Sequence, residues 1–105
     1  MDSKKEKYEI EFTEDARDEI KEIYRYISEN LVAEKAAMDL MRKMKNAILN
    51  LAESPELYMK IERKYNGKRD FRRIVIDNYV VLYNIDSDKK KVYIAHMYYG
   101  RKNYF

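Results

Sequence analysis

Three strand-patterned runs crowded at the end of the chain, the last two rich in tyrosine, constrain its fold most: Phe71–Ile76, Tyr79–Ile85 and Lys91–Tyr99. Only Asp77-Asn78 separates the first two, a pair suited to a tight hairpin. The turn Asp86-Ser-Asp-Lys89 separates the second from the third, and Gly100 ends the last run. Strands joined so briefly pair antiparallel, because parallel neighbours need a long crossover. The resulting sheet must bury a face, and the residues that cover it have to come from upstream.

Upstream, Tyr8-Glu-Ile-Glu-Phe12 alternates apolar and acidic residues and reads as a half-buried strand. Thr13 is placed to cap a helix, with Glu14 and Asp15 suiting the positive end of its dipole. The stripe Ala16, Ile20, Ile23, Tyr24 and Ile27 carries that helix to about Asn30. After a break at Leu31-Val32-Ala33, a second stripe of Ala36, Leu40, Met44, Ala47, Ile48 and Leu51 predicts a helix from Glu34 to about Glu53. Ser54-Pro55 stops it, since the residue before proline is pushed out of the helical region. A short link makes the two helices an antiparallel hairpin. The expected fold is α+β: a small antiparallel-type sheet of one early strand and three C-terminal strands, with the helical hairpin on one face. All 105 residues form a single domain, 1–105. With only two glycines and one proline, loops are short except for Glu56–Asp70, which holds the turn signal Tyr65-Asn-Gly-Lys68.

The charge is unevenly placed. Met1–Glu62 carries eleven Lys/Arg against fifteen Asp/Glu, a balance of −4. Arg63–Phe105 carries eleven against four, a balance of +7. Such a basic half suits an anionic target or an acidic protein partner. Arg63, Lys64, Lys68 and Arg69 crowd the long loop, Arg72 and Arg73 open the second strand, and Arg101 and Lys102 follow the last. Tyr79, Tyr83, Tyr93, Tyr98, Tyr99 and Tyr104 interleave with them. Cations and aromatic rings can hold phosphates and stack on bases, but tyrosine is also a good strand former. Tyr79 and Tyr83 share strand parity and are expected to face the helices. Tyr98, Tyr99 and Tyr104 are more open to binding.

Little else points to chemistry. No run approaches the roughly 20 apolar residues of a membrane span, and the first residues show no secretory signal. Cysteine is absent, which excludes disulfides and thiolate metal sites and is compatible with a cytoplasmic protein. No metal, cofactor or membrane partner is expected. No Gly-x-Ser-x-Gly or phosphate-cradling glycine loop occurs. His96 is the single histidine and lies mid-strand; without an orienting partner in the sequence it reads as structural rather than catalytic. Asp15, Asp18, Glu19, Glu22 and Glu29 read as solvated charge on the first helix.

The chain resembles the RelE/ParE superfamily of bacterial toxins from type II toxin–antitoxin modules, from about Tyr8 to Tyr104. The resemblance rests on IEFTEDARDEIKEIYRYI (Ile10–Ile27), ILNLAESP (Ile48–Pro55), RIVIDNYVVLYNID (Arg73–Asp86) and YGRKNY (Tyr99–Tyr104), in that order. It implies a cognate antitoxin partner, here an acidic or amphipathic segment lying across the basic sheet or the helical hairpin. RelE-like members are ribosome-dependent mRNA endonucleases with a basic residue directly after the aromatic that opens the middle strand of the C-terminal sheet. Here that aromatic is Tyr79, and Val80 follows it. Losing one transition-state cation costs about 100-fold or more in rate. The apolar pair of Tyr79-Val-Val81 and the long hairpin look more like the ParE branch, whose action is the poisoning of DNA gyrase without chemistry by the toxin. The resemblance therefore implies a ParE-like growth inhibitor, not an enzyme. Its binding residues are expected among Arg72, Arg73, Tyr98, Tyr99, Arg101 and Lys102. The alternative is a RelE-like nuclease acting on the ribosome and its mRNA. Arg73, Arg101 and Lys102 would then hold the phosphate, and Tyr104 or His96 would move protons. A non-toxic interaction module is the third reading.

Overall fold

The computed structural model describes residues 7–61 and 70–101. The chain runs β1 (Glu9–Phe12), α1 (Glu14–Arg25), a π-helical turn (Tyr26–Asn30), α2 (Glu34–Asn50), β2 (Phe71–Ile76), β3 (Tyr79–Asp86) and β4 (Lys91–Tyr99). This is the α+β order expected. The four strands form one sheet in the order β1-β4-β3-β2. β2, β3 and β4 are antiparallel neighbours, as their short turns require, whereas β1 joins the far side of β4 in parallel. A parallel β1–β4 pair is possible because everything between those strands serves as the crossover.

The middle of β3, Val80–Tyr83, is buried on both faces, which is why it reads as an unbroken apolar run. Towards the helices, Ile74, Ile76, Val81, Tyr83, Val92, Ile94 and Met97 pack against Ile27, Leu40, Met44, Ile48 and Leu51, with Tyr79 at the edge of the cluster. Tyr79 and Tyr83 thus take the side expected. On the opposite face, Phe71, Leu82 and Ala95 form a small second cluster with Ile61. One correction concerns α2, where Ala37 rather than Ala36 enters the core. Both positions lie one turn before Leu40, but only 37 shares the seven-residue spacing of Met44 and Leu51.

The helix ends also differ from expectation. The first helix does not stay α-helical to Asn30, because from Tyr26 the turns widen, and the Leu31 amide donates to the Tyr26 carbonyl at 3.2 Å. The second ends at Asn50, and residues 51–53 continue it in tighter turns whose amides reach back three residues. Between the helices, Val32 has φ of 48° and is 85% exposed. A β-branched side chain in the left-handed region is strained.

The long connection is fastened by its carbonyls. The Tyr83 hydroxyl donates to Pro55 O at 2.8 Å, and the Arg72 guanidinium donates to Tyr58 O at 2.6 Å and Glu56 O at 3.5 Å. Residue 60 then bridges to Arg72, and the Ile61 amide donates to Phe71 O at 2.8 Å, so this segment partly shields the edge of β2. The Tyr65–Lys68 turn and the loop cations Arg63, Lys64, Lys68 and Arg69 lie outside the described residues, as do Lys102 and Tyr104.

Two stability predictions follow from this geometry. Burial pushes the Tyr83 phenol up to about 12 from its ordinary 10.0. The unfolded chain then loses this proton before the folded one, so stability falls as pH rises from about 10 to 12. Chemical denaturation across that range should show the decline, and Tyr83→Phe should flatten it. At neutral pH the same substitution should cost about 1 kcal/mol through the lost hydrogen bond. Val32→Gly should raise stability by about 1 kcal/mol by relieving strain at a site with little packing to lose. It should shift the urea midpoint at unchanged slope.

Candidate functional site

The pleat of the C-terminal sheet puts Arg73, Leu82 and His96 in one cross-strand row and Val75, Val80 and Tyr98 in the next. These rows belong to the face turned away from the helical core. Arg73 and Val75 are exposed, and Val80, Leu82, His96 and Tyr98 are buried. The Tyr98 phenol is pushed up by burial, and the nearby Arg73 guanidinium partly offsets that shift. Arg73 and Tyr98, two of the residues singled out in the sequence, therefore share this face in neighbouring rows. Arg101 is exposed just beyond the end of β4. It leaves the sheet over Gly100, whose amide donates to Asn78 O at 2.6 Å. A Cβ at position 100 would come within 3.0 Å of that oxygen, so glycine allows the last strand to close on the Asp77-Asn78 turn.

The other candidates fall elsewhere. Arg72 points to the opposite face from Arg73, and its guanidinium is committed to the loop carbonyls described above. Tyr99 also turns to the helix side. Its ring meets Tyr79 edge to face, with centroids 5.5 Å apart and planes at 65°. Together with Ile23, Tyr26, Leu31 and Met97, these two rings border an open groove of about 880 Å³ between α1 and the ends of β3 and β4.

His96 is buried, and it has a partner that sequence reasoning missed. Its Nδ1 lies 3.2 Å and 3.1 Å from the two carboxylate oxygens of Glu19 on α1. Glu19 Oε1 also accepts the Met97 amide at 2.9 Å. Glu19 is thus not the solvated charge expected of it. The signal was present, since Glu19 stands three residues after Ala16 and four before Ile23, on the border of the apolar stripe. A β-bulge makes the contact possible. Leu82 pairs with His96 but Tyr83 pairs with Ile94, which leaves Ala95 as the extra residue. The Thr13 hydroxyl donates to the Ala95 carbonyl at 2.8 Å, and its Oγ1 accepts the Ala16 amide at 3.1 Å. Thr13 is thereby the helix cap predicted and also a tether to the bulge.

The depression beside His96 is acidic, lined by Asp15, Asp86 and Asp88 together with Asn84 and Tyr93. A phosphodiester brought there meets like charge. The position that would hold the RelE-type cation is apolar, for Val80 has Val75 and Tyr98 as its cross-strand neighbours. Among the described residues no group of three or more His, Cys, Asp or Glu is arranged to hold a metal ion, and no helix is long and apolar enough to cross a membrane.

Residues 10–104 match the family model described as ParE toxin of type II toxin-antitoxin system, parDE. Among solved structures, the chromosomal ParDE system from P. aeruginosa contains a chain that superposes with a TM-score of 0.70 at 11% identity, covering 90% of this chain and 98% of that one. A chain of the RelBE2 toxin-antitoxin complex from Mycobacterium tuberculosis superposes with a TM-score of 0.62 at 17% identity, covering 93% and 97%. The isolated E. coli RelE toxin gives 0.56 at 17% identity, covering 92% and 88%. At these identities the structures share the fold alone. No curated protein matches the sequence.

Replacing Glu19 tests the seam it makes. Glu19→Ala should destabilise the chain by about 1–3 kcal/mol, because a buried amide and a ring nitrogen lose their acceptor. Glu19→Gln keeps an acceptor and should cost less. Urea midpoints of the two variants against wild type give the comparison.

Proposed function

Because the chain belongs to the ParE toxin family of type II toxin–antitoxin systems, we propose that it arrests growth in the cytoplasm by binding DNA gyrase, without chemistry of its own. The observation that carries this reading is the apolar row Val75–Val80–Tyr98. It occupies the place where a nuclease of the RelE kind resembles its relatives in presenting a cation. The environment of His96 supports the same reading: one ring nitrogen is taken by Glu19, and the adjoining depression carries three aspartates. Proton transfer to an RNA would have to occur against that charge. Arg73 and Arg101 are exposed and, with Lys102, supply the positive charge through which a target is held. An antitoxin is the second partner, as the solved relatives include ParDE and RelBE complexes.

One observation favours the nuclease alternative. Arg73 lies close to the buried Tyr98, and a cation next to a phenol can serve phosphoryl transfer. Two assays separate the readings. Purified chain should block supercoiling by gyrase or trap cleaved DNA, and Arg73→Ala with Arg101→Ala should weaken that effect about tenfold or more. Primer extension on translated mRNA after induction should show intact transcripts. Cuts in the ribosomal A site that disappear in Arg73→Ala would establish the nuclease instead. Normal supercoiling at large excess of toxin would sink the gyrase reading.

A further inference from the structure

The groove between α1 and the ends of β3 and β4 has a chemistry opposite to that of the basic sheet. One corner is built of phenols. Tyr79 and Tyr99 meet edge to face, and an edge-to-face pair leaves ring surface free for a further contact. Tyr99 is 41% exposed and Tyr26, on the π-helical turn, 51%. Tyr26, Tyr79 and Tyr99 all line the groove, and the Tyr79 phenol is held above the ordinary tyrosine value by burial first and then by the Tyr99 and Tyr26 phenols.

The charges on the same wall are mainly carboxylates. Glu19 and Glu22 both line the groove, one turn apart on α1, and Arg25 is the single cation among the described residues of its lining. Glu19 is committed to His96 and Met97. Glu22 is exposed and makes no ion pair among the described residues. Ring faces and carboxylates attract positive charge alike. The chain already uses this attraction once, with Lys90 Nζ seated 5.4 Å from the centre of the Tyr8 ring. No other ammonium or guanidinium among the described residues lies over a tyrosine ring. Beside the corner, Ile23 and Leu31 offer apolar surface, with Leu31 56% exposed.

We propose that this phenol corner seats one arginine or lysine side chain carried on an amphipathic helix of the antitoxin, whose apolar face covers Ile23 and Leu31. The inference rests on the toxin–antitoxin reading and refines it. The +7 balance of the chain's second half points to an acidic partner, whereas the groove selects a cation. A helix laid in a groove presents anchors at spacings of three and four, so one basic anchor among apolar ones is enough to fix its register. Within the partner, the residue that distinguishes a cognate from a non-cognate antitoxin at this site is then basic.

The test uses the full chain with n-butylguanidinium as the probe and n-butylurea as its uncharged isostere, followed through the tyrosine ring resonances by NMR. Butylguanidinium should shift the Tyr26, Tyr79 and Tyr99 signals saturably, bind about fivefold more tightly than butylurea and weaken with added salt. Glu22→Gln, a substitution at an exposed position, should reduce the apparent affinity about two- to fivefold. Equal responses to the two probes would overturn the proposal, as would shifts spread evenly over the chain's tyrosines. Growth arrest on induction tests the underlying toxin reading separately. A chain that discriminates the probes but arrests nothing keeps the corner and loses the toxin reading. A chain that arrests growth but treats both probes alike does the reverse.

Discussion

Where β1 stops at Phe12, the outer edge of β4 loses its strand partner, and α1 has to supply what a strand would have supplied. It does so with two side chains and one amide. The Thr13 amide donates to Ile94 O at 3.0 Å, the Thr13 hydroxyl to Ala95 O at 2.8 Å, and Glu19 accepts the Met97 amide at 2.9 Å. Left unpaired, each buried backbone group would cost about 1–3 kcal/mol. This seam fixes the path of α1 along the sheet. The rest of the helical layer follows from it, because α2 packs back through Leu40, Met44 and Ile48 onto the same side of the sheet. The groove, the phenol corner and the buried His96 all lie on or beside the seam.

What the sequence revealed and what it hid divide along the range of the interactions. Strand alternation and the two stripes are local, and they located every element to within a few residues. The two-residue turn at Asp77-Asn78 was equally plain, and Asp77 takes the left-handed φ of 55° that such a turn allows to aspartate. The parallel arrival of β1 beside β4 could not be read this way, because nothing in Tyr8–Phe12 distinguishes one neighbour from another. Ala36 and Ala37 are indistinguishable by composition, and the choice between them depends on the rotation of α2 over the sheet. The widening of α1 into a π turn at Tyr26 left no local mark. Glu19 was misread for the same reason: a carboxylate on the border of an apolar stripe is solvated or buried according to what lies opposite. Here an amide and an imidazole of β4 lie opposite.

Part of the basic character of Arg63–Phe105 is absorbed within the fold. Lys91 reaches Glu11 at 2.7 Å and Glu9 at 3.8 Å, and Arg72 is spent on carbonyls of the long connection. Such exposed pairs add little stability, but they remove those cations from any binding surface. Arg73 and Arg101 are different, being exposed, one in the middle of β2 and the other just past the end of β4, and of the cations singled out in the sequence they are the two that keep their charge for a partner among the described residues. The row beside them is apolar, so what they can do together is hold an anion rather than drive its cleavage.

The two faces of the sheet therefore make opposite demands. Beyond β2 and the end of β4 the surface presents guanidinium groups, while across the same strands, at the π turn, it presents phenols and carboxylates. Tyr98 and Tyr99 are adjacent in sequence, and strand alternation alone sends one ring towards Arg73 and the other towards Tyr79. A partner that wraps from one face to the other must change the sign of its own charge on the way. That requirement discriminates more strongly than net charge would, since a uniformly acidic segment satisfies the guanidinium side and is repelled at Glu22. Because both surfaces hang on β4, and β4 is held at its outer edge by Thr13 and Glu19, a change in that seam alters both at once without touching either.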